Sequence, residues 1–262
     1  MQSRFAASPE SGLGPLNAPT FVDHVVEAIV SRAVLGKFRP GGRINELALA
    51  RELGVSRAPI REALRMLVAL DVVENTPYQG MRLAALPRER VHQISKVRLE
   101  LEKLSMREAS SVAERAALRL ELQDVVEDMK MAARKQDRLA LAKLDADFHE
   151  AIMRAAKNPV LLRLWRMLRP QLVIIFGLSQ YGSGGDEEKK PLRKIIDEHR
   201  TLLDSFTSGS FGEIAAALEE HIMERDLSID LATLGAGDPN DPRVASRAVP
   251  ATRVVRTLRA RR

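Results

Sequence analysis

The sequence predicts a mainly α-helical protein in two parts: an N-terminal winged helix-turn-helix, with three helices and a β-hairpin wing, followed by an all-α helical bundle. Three observations predict this fold class. Residues 54–64 have the pattern of the turn and second helix of a helix-turn-helix, and a turn-rich hairpin follows them. After Pro87, apolar residues recur at helical spacing and we find no strand pattern.

Two helices precede the turn. Residues 21–35 carry apolar side chains at helical spacing, and Glu46 to Leu53 form a shorter amphipathic helix. The inward side of the shorter helix includes Ala50, whose small side chain permits close packing of helices. Gly54 supplies the break after this helix, where a residue with positive φ is usually needed. These features predict the first two helices and the turn of the motif.

The next helix has an apolar face and a cationic face. Ser56 is a natural N-cap residue, and Arg57, Arg61 and Arg65 recur every four residues on one side. The apolar stripe on the other side consists of Ile60, Ala63, Leu64, Leu67 and Val68. A helix that presents its N-terminus and a row of arginines suits phosphates and base edges. Taken alone, it reads equally well as a core helix with a solvated basic face.

A β-hairpin is predicted directly after this helix. Val72–Glu74 and Met81–Leu83 are short strand candidates, and residues 75–80 form a turn-rich tip. Three helices followed by a hairpin make a winged helix-turn-helix. We expect Gln79 and Gly80 at the wing tip, beside the helix that carries the arginines.

The N-terminal pattern resembles the DNA-binding domain of the GntR family of bacterial transcription regulators, and in particular its FadR-type subfamily. The resemblance covers about residues 20–86. Two positions differ from the usual subfamily pattern: Ala58 stands where Thr is common, which removes a hydroxyl that can reach DNA, and Ile60 replaces Val conservatively. The matching residues are Gly41-Gly42-Arg43-Ile44-Asn45-Glu46, Leu49-Ala50 and Gly54-Val55-Ser56-Arg57-Ala58-Pro59-Ile60-Arg61-Glu62-Ala63-Leu64.

The resemblance implies a homodimer that binds a palindromic operator in double-stranded DNA. Its two recognition helices would lie in successive major grooves, about 34 Å apart. Base or phosphate contacts would come from Arg57 and Arg61, and a phosphate contact from Ser56. Gln79 and Gly80 would make the contact of the wing.

The charge distribution indicates that these arginines act by their placement. The formal net charge is +6, but residues 242–262 alone hold seven arginines and no acidic residue. Residues 19–86 contain nine basic and seven acidic residues, so this segment is only weakly cationic. The Arg-rich tail could add nonspecific DNA affinity, although a solvated, disordered terminus is the more common role of such a segment.

Length and composition fit a protein of two domains with flanking segments. The 262 residues suffice for roughly two domains. We expect a disordered N-terminus over 1–18, the winged helix-turn-helix over 19–86, the bundle over 88–234 and a disordered tail over 235–262.

The sequence excludes several classes of protein. It has no cysteine, which excludes disulfides and thiolate metal ligands. Its longest apolar run, residues 172–176, is too short to cross a membrane, and we find no secretory signal. Few aromatic residues argue against binding single strands by base stacking. We therefore expect a cytoplasmic protein with no membrane partner.

The second half contains six predicted helical segments. Between the fourth and fifth, residues 181–190 form a glycine-rich loop. The approximate spans are 88–110, 114–134, 136–157, 159–180, 191–207 and 210–232.

Three histidines and one aspartate lie within the apolar stripes of different helices of this half. Asp145 and His149 are spaced i, i+4 and therefore lie on adjacent turns, while His199 and His221 belong to the stripes of two later segments. Burying these polar side chains without partners costs on the order of several kcal/mol, unless a bound group such as a metal ion pairs with them. Three imidazoles and a carboxylate suit Zn²⁺, Ni²⁺, Mn²⁺ or Fe²⁺.

This set of residues resembles the metal site of the FCD domain, the effector-binding bundle of FadR-type regulators, over about residues 88–232. The resemblance implies a divalent metal held by Asp145, His149, His199 and His221, which helps to bind a small carboxylic acid. Arg98 matches a first-helix arginine that often lines the same cavity, although an ion pair with Glu102 at i+4 explains it nearly as well.

Both resemblances favour a ligand-responsive transcription regulator, with repression as the default and no enzymatic activity. Two alternatives remain at this point. A metal-dependent hydrolase or decarboxylase could use the same ligands to activate water, although we find no HExxH motif and no separate general base. A DNA-binding protein with a purely structural metal is the second alternative. His24 and His92 match neither motif and are interpreted as ordinary helix residues.

Overall fold

The computed structural model describes residues 20–109, 112–179, 192–208 and 210–227. Nine helices and one two-stranded antiparallel sheet are found in these ranges, as the sequence predicted for a mainly α protein. None of the helices in these ranges is both long and apolar enough to cross a membrane. In the N-terminal half the elements are α1 (Phe21–Val34), α2 (Glu46–Leu53), α3 (Arg57–Ala69), β1 (Val73–Thr76) and β2 (Gly80–Leu83). In the second half they are α4 (Arg88–Glu108), α5 (Val112–Arg134), α6 (Arg138–Ala155), α7 (Pro159–Ser179), α8 (Leu192–Ser208) and α9 (Phe211–Leu227).

The N-terminal half is a winged helix-turn-helix, as the sequence predicted. Helices α1, α2 and α3 pack around a core that includes Ile29, Ile60 and Leu64, each fully buried. Strands β1 and β2 form the wing, with Val73 opposite Leu83 at its base.

A third extended segment, which the sequence pattern did not predict, joins the edge of the wing. The amide of Ile44 donates to the carbonyl of Met81 at 2.8 Å, and the amide of Leu83 donates to the carbonyl of Gly42 at 3.0 Å. The amide of Gly41 also donates to the carbonyl of Leu83, at 2.8 Å. Residues 41–44 therefore tie the loop before α2 to the wing.

The helix ends follow the predicted signals at two positions and depart from them at a third. Gly54 ends α2 with φ of 65°, the left-handed conformation that glycine adopts without strain. Asn45 caps the start of α2 by accepting from two backbone amides. Ser56 occupies the N-cap position of α3, but its side chain makes no capping hydrogen bond. The prediction for Ser56 was therefore correct about its N-cap position, but its side chain does not make the expected hydrogen bond to the backbone of α3.

The second half is the predicted all-α bundle. Helix α6 lies at its centre, in contact with α4, α5 and α7, and α8 packs on α5 and α9. The six predicted segments correspond to α4–α9 with ends shifted by a few residues. The predicted disordered ends, 1–18 and 235–262, and the glycine-rich loop, 181–190, lie outside the described residues.

A continuous hydrophobic core joins the two halves, because α7 packs directly on α1. At the contact, a Cβ added to Gly177 would lie 2.5 Å from Cγ1 of Val34, so only glycine fits without a shift. Polar contacts flank this core: the Gln171 amide donates to the carbonyl of Leu70 at 2.8 Å. The winged helix-turn-helix is therefore docked on one face of the bundle.

Candidate functional site

The four predicted metal ligands meet in the interior of the bundle. Asp145 and His149 project from α6, His199 from α8 and His221 from α9, and all four are buried. One nitrogen from each of the three imidazoles lies within 4.8 Å of the others. The Oδ1 atom of Asp145 is 3.2 Å from Nε2 of His199. Helical spacing thus predicted correctly that these side chains lie on inward faces, and the fold brings those faces together.

The orientation of the His199 ring is fixed by the backbone of its own helix. Its Nδ1 lies 2.7 Å from the carbonyl oxygen of Ile195. Because a carbonyl only accepts hydrogen bonds, this nitrogen carries a proton, and in the neutral imidazole Nε2 has the lone pair. The Nε2 atom is buried, with Oδ1 of Asp145 3.2 Å away. A buried ring nitrogen that lies beside a carboxylate oxygen and two further imidazoles is the arrangement expected of a metal ligand.

The spacing of the other two imidazoles also fits a shared ion. Nε2 of His149 lies 3.2 Å from Nε2 of His221. Nitrogen ligands at about 2.0–2.1 Å from a tetrahedral Zn²⁺ stand roughly 3.3 Å from each other. Three imidazoles and the Asp145 carboxylate are donors that suit Zn²⁺, Ni²⁺, Mn²⁺ or Fe²⁺. The residues present therefore fit a divalent metal.

Arg98 lies beside this cluster, and not all of its N–H groups are used in hydrogen bonds to the described residues. It is 1% exposed, and its Nε donates to Oε1 of Glu102 at 2.8 Å. Its Nη2 is buried and makes no hydrogen bond to any described residue. The rings of Trp165 and Phe176 flank the guanidinium, 5.8 and 4.9 Å from its carbon. Both interpretations of Arg98 therefore have support. The ion pair with Glu102 at i+4 is formed, and Nη2, which has no hydrogen-bond partner among the described residues, could bind a ligand.

Glu102 was not among the predicted site residues. It is fully buried on α4, and its Oε2 lies 2.7 Å from Nδ1 of His149. Burial raises the pKa of the Glu102 carboxyl to about 7, and the Arg98 guanidinium opposes that shift. Its position in the apolar stripe of α4 could have indicated a role, because burying an acidic side chain there is costly.

The predicted DNA-contacting residues lie at the surface of the winged helix-turn-helix. Ser56, Arg57, Arg61 and Gln79 are exposed, and Gly80 is half-buried with φ of 76°. Their positions at the start of α3 and at the wing tip are those that the sequence suggested. Arg65, the third arginine of the row, is exposed as well.

Glu46 forms ion pairs with two of these arginines. The sequence pattern did not indicate these pairs. Its Oε2 is 3.0 Å from Nε of Arg61 and 3.6 Å from an Nη of Arg57. Both arginine side chains remain 54% exposed, so the pairing orients them without removing them from solvent. Such half-exposed pairs contribute little to stability, about 0–1 kcal/mol.

Tyr78 is the most prominent side chain of the wing tip. It is fully exposed, and its φ of 62° lies in the left-handed region, which is uncommon for a side chain of this size. The turn at residues 76–80 closes with a hydrogen bond from the Gln79 amide to the Thr76 carbonyl at 3.0 Å. An aromatic side chain therefore projects from the wing beside the predicted contact at Gln79.

Comparisons with known proteins agree with this architecture. Residues 93–224 match the FCD domain family, and residues 21–83 match the family described as bacterial regulatory proteins, gntR family. A probable D-xylose utilization operon transcriptional repressor from Paenarthrobacter nicotinovorans is 28% identical over 207 residues, 79% of this chain and 88% of that protein. The gluconate operon transcriptional repressor of Bacillus licheniformis is 29% identical over 172 residues, 66% of this chain and 70% of that protein.

A solved structure shows the same fold. The Escherichia coli protein McbR/YncC aligns with a TM-score of 0.65 at 22% identity, covering 80% of this chain and 97% of that one. The matched families and the two relatives are transcriptional regulators rather than enzymes, so the alternative of a metal-dependent enzyme has no support from them.

Proposed function

This chain belongs to the GntR family of bacterial regulatory proteins and carries an FCD domain, and from this membership we propose that it is a repressor whose operator binding responds to a small carboxylic acid. The acid binds at a divalent metal in the bundle. One observation carries this proposal: a buried guanidinium, whose Nη2 has no hydrogen-bond partner among the described residues, lies beside three imidazoles whose ring nitrogens converge. A cation beside a buried arginine is a site for an anion of small size.

The four predicted ligands hold the metal, and Arg98 holds the acid. Asp145, His149, His199 and His221 supply one carboxylate oxygen and three imidazole nitrogens. When bound, the metal acts as a Lewis acid that attracts a carboxylate oxygen. The Nη2 of Arg98 donates a charge-assisted hydrogen bond to the same carboxylate, while the Trp165 and Phe176 rings exclude water around the guanidinium.

The winged helix-turn-helix binds the operator as part of a homodimer. Two copies place their α3 helices in successive major grooves of a palindromic site, about 34 Å apart. Arg57 and Arg61 contact bases or phosphates, Ser56 contacts a phosphate, and Gln79 with Gly80 forms the wing contact. The acid changes how the two DNA-binding halves are held relative to each other, and this lowers operator affinity.

A thermal-shift screen of small organic acids, with and without a chelator, tests the ligand site. We expect at least one hydroxy acid or sugar acid to raise Tm in the metal-loaded protein and not after chelation, because ligands that bind only the folded state stabilise it. The same acid should release the protein from its operator in an electrophoretic mobility assay.

Two outcomes would overturn this proposal. If chelation unfolds the protein while no acid changes Tm or operator affinity, the metal is structural and the effector assignment is wrong. If the purified protein binds no divalent metal at all, the site itself is wrong.

A further inference from the structure

We infer that Glu102 is a positioning residue for both parts of the ligand site, and this inference rests on the metal site proposed above. One carboxylate oxygen orients the His149 imidazole, and the other orients the Arg98 guanidinium. Glu102 touches neither the metal nor the acid. It holds the two residues that do.

The contact with His149 fixes which ring nitrogen faces the cluster. Oε2 of Glu102 lies 2.7 Å from Nδ1 of His149, and both side chains are fully buried. The ionised Glu102 carboxylate only accepts hydrogen bonds, so beside it Nδ1 of His149 carries the proton, and in the neutral imidazole Nε2 keeps the lone pair. That Nε2 is the atom 3.2 Å from His221. Carboxylates that accept from the outer nitrogen of a histidine ligand fix its tautomer and raise its basicity.

The two imidazoles of the cluster with assigned tautomers are oriented by different groups. His199 donates to the neutral carbonyl of Ile195 at 2.7 Å, within its own helix. His149 donates instead to a carboxylate on a different helix, because α4 packs on α6. Glu102 therefore makes the orientation of His149 depend on how α4 and α6 are placed.

The contact with Arg98 determines which edge of the guanidinium is free. Oε1 of Glu102 accepts from Nε of Arg98 at 2.8 Å, and the two residues lie one turn apart on α4. This bond leaves Nη2 buried and without a partner among the described residues. Since one carboxylate bonds to both residues, binding at either part changes the surroundings of the other. Metal affinity and acid affinity are then linked in both directions.

The experiment compares Glu102→Leu and Glu102→Gln with Glu100→Gln at pH 8. Glu100 lies on the same helix with its side chain 74% exposed, so its variant is a matched control for loss of one carboxylate. Zn²⁺ affinity is measured by competition with a chelator. In metal-free protein, the ¹⁵N chemical shifts of His149 report its tautomer without any metal.

We expect Glu102→Leu to weaken Zn²⁺ binding by about 10–100-fold, the usual effect of losing such a group. The His149 signals should move from a single tautomer to a mixture. Glu102→Gln keeps one acceptor oxygen, so its effect should be smaller, and Glu100→Gln should behave as wild type. If Glu102→Leu does not fold because Arg98 is left as an unpaired buried charge, the double variant Arg98→Met/Glu102→Leu removes both charges and serves instead.

Wild-type affinity and a wild-type His149 tautomer in a folded Glu102→Leu protein would overturn the inference while leaving the metal site intact. Absence of Zn²⁺ binding by the wild type would instead overturn the proposed function, and the tautomer measurement would still decide the role of Glu102.

Discussion

A buried histidine suits a metal ion when a fixed partner accepts the proton of one ring nitrogen, so that the other nitrogen can bind the ion. His199 satisfies this condition through the carbonyl of Ile195, and His149 through Glu102. The pattern of apolar residues predicted that the histidines point inward. It could not predict the groups behind them, because these come from backbone geometry and from a neighbouring helix. One sequence is enough to predict which residues lie on the buried face of a helix, whereas contacts between distant segments depend on the tertiary fold.

Loss of either late histidine should abolish stoichiometric metal binding. His199→Ala and His221→Ala each remove one of three converging nitrogens, so we expect the metal content per chain, measured by mass spectrometry, to fall well below that of wild type. His24→Ala is the matched control, because His24 is exposed on α1, away from the cluster. Full metal content in both cluster variants would show that this set of ligands is incorrect.

Thr20, the N-cap residue of α1, contributes to stability in a pH-dependent way. Hydrogen bonds from the backbone and side chain of Thr20 lower the pKa of Asp23, in a capping box at the start of α1. Because the pKa is lower in the folded chain, this stabilisation is present above the unfolded pKa of 3.8 and is lost as pH falls through the folded pKa.

Thr20→Ala should therefore destabilise the protein by about 1 kcal/mol at neutral pH, the usual effect of losing an N-cap side chain. Urea unfolding at pH 7 measures the free energy, and ¹³C NMR titration of Asp23 should show its pKa returning toward 3.8. Ser56→Ala is the comparison, since Ser56 makes no capping bond and its loss should cost much less. Equal losses in the two variants would contradict this account of the caps.

At the scale of secondary structure, the buried and exposed faces of α3 could be predicted almost completely from its sequence. Ile60, Ala63, Leu64 and Leu67 are all buried, while Arg57, Arg61 and Arg65 are exposed on the other side. The role of Glu46 was not predicted because the contact joins the start of α2 to the start of α3. Sequence spacing describes one helix at a time, and this ion pair depends on the angle between two.

Arg61 should contribute strongly to operator binding. Arg61→Ala removes an exposed cation from the face of α3, and we expect about a 5- to 150-fold loss of operator affinity if it reads a base, from about 1–3 kcal/mol. Arg193→Ala removes the same charge from an 88% exposed side chain of α8 and is the matched control. Fluorescence anisotropy with the cognate operator measures both. Unchanged affinity in Arg61→Ala would show that α3 reads DNA through other residues.

At the scale of the whole molecule, the contact between α7 and α1 links the proposed ligand site to the DNA-binding half. Phe176 lies 4.9 Å from the Arg98 guanidinium, and the next residue, Gly177, packs against Val34 of α1. The division of the chain into two parts was predicted from composition and pattern. The docking of those parts was not, because a glycine within a helix gives no sign in the sequence of what approaches it.

A side chain at position 177 should disturb this docking. Gly177→Ala places a Cβ 2.5 Å from Val34, and overpacking of this kind costs about 1–3 kcal/mol. Urea denaturation should show the loss, and Val34→Ala in the same chain should restore part of it by removing the clash. Gly212→Ala is the control, because its nearest neighbour would be 3.8 Å away. Additive losses in the double variant would mean that the two residues do not meet.

The hydrogen bonds between residues 41–44 and the wing have a consequence for protein engineering. The DNA-reading surface is often imagined as a helix and a hairpin that could be grafted onto another effector domain. Here a graft beginning at Gly54 would discard the partner of β2 and leave the amide and carbonyl of Leu83 without their bonds to Gly42 and Gly41. The smallest transferable cassette of this chain therefore begins before Gly41, and chimaeras that respect this boundary should retain the geometry of the wing.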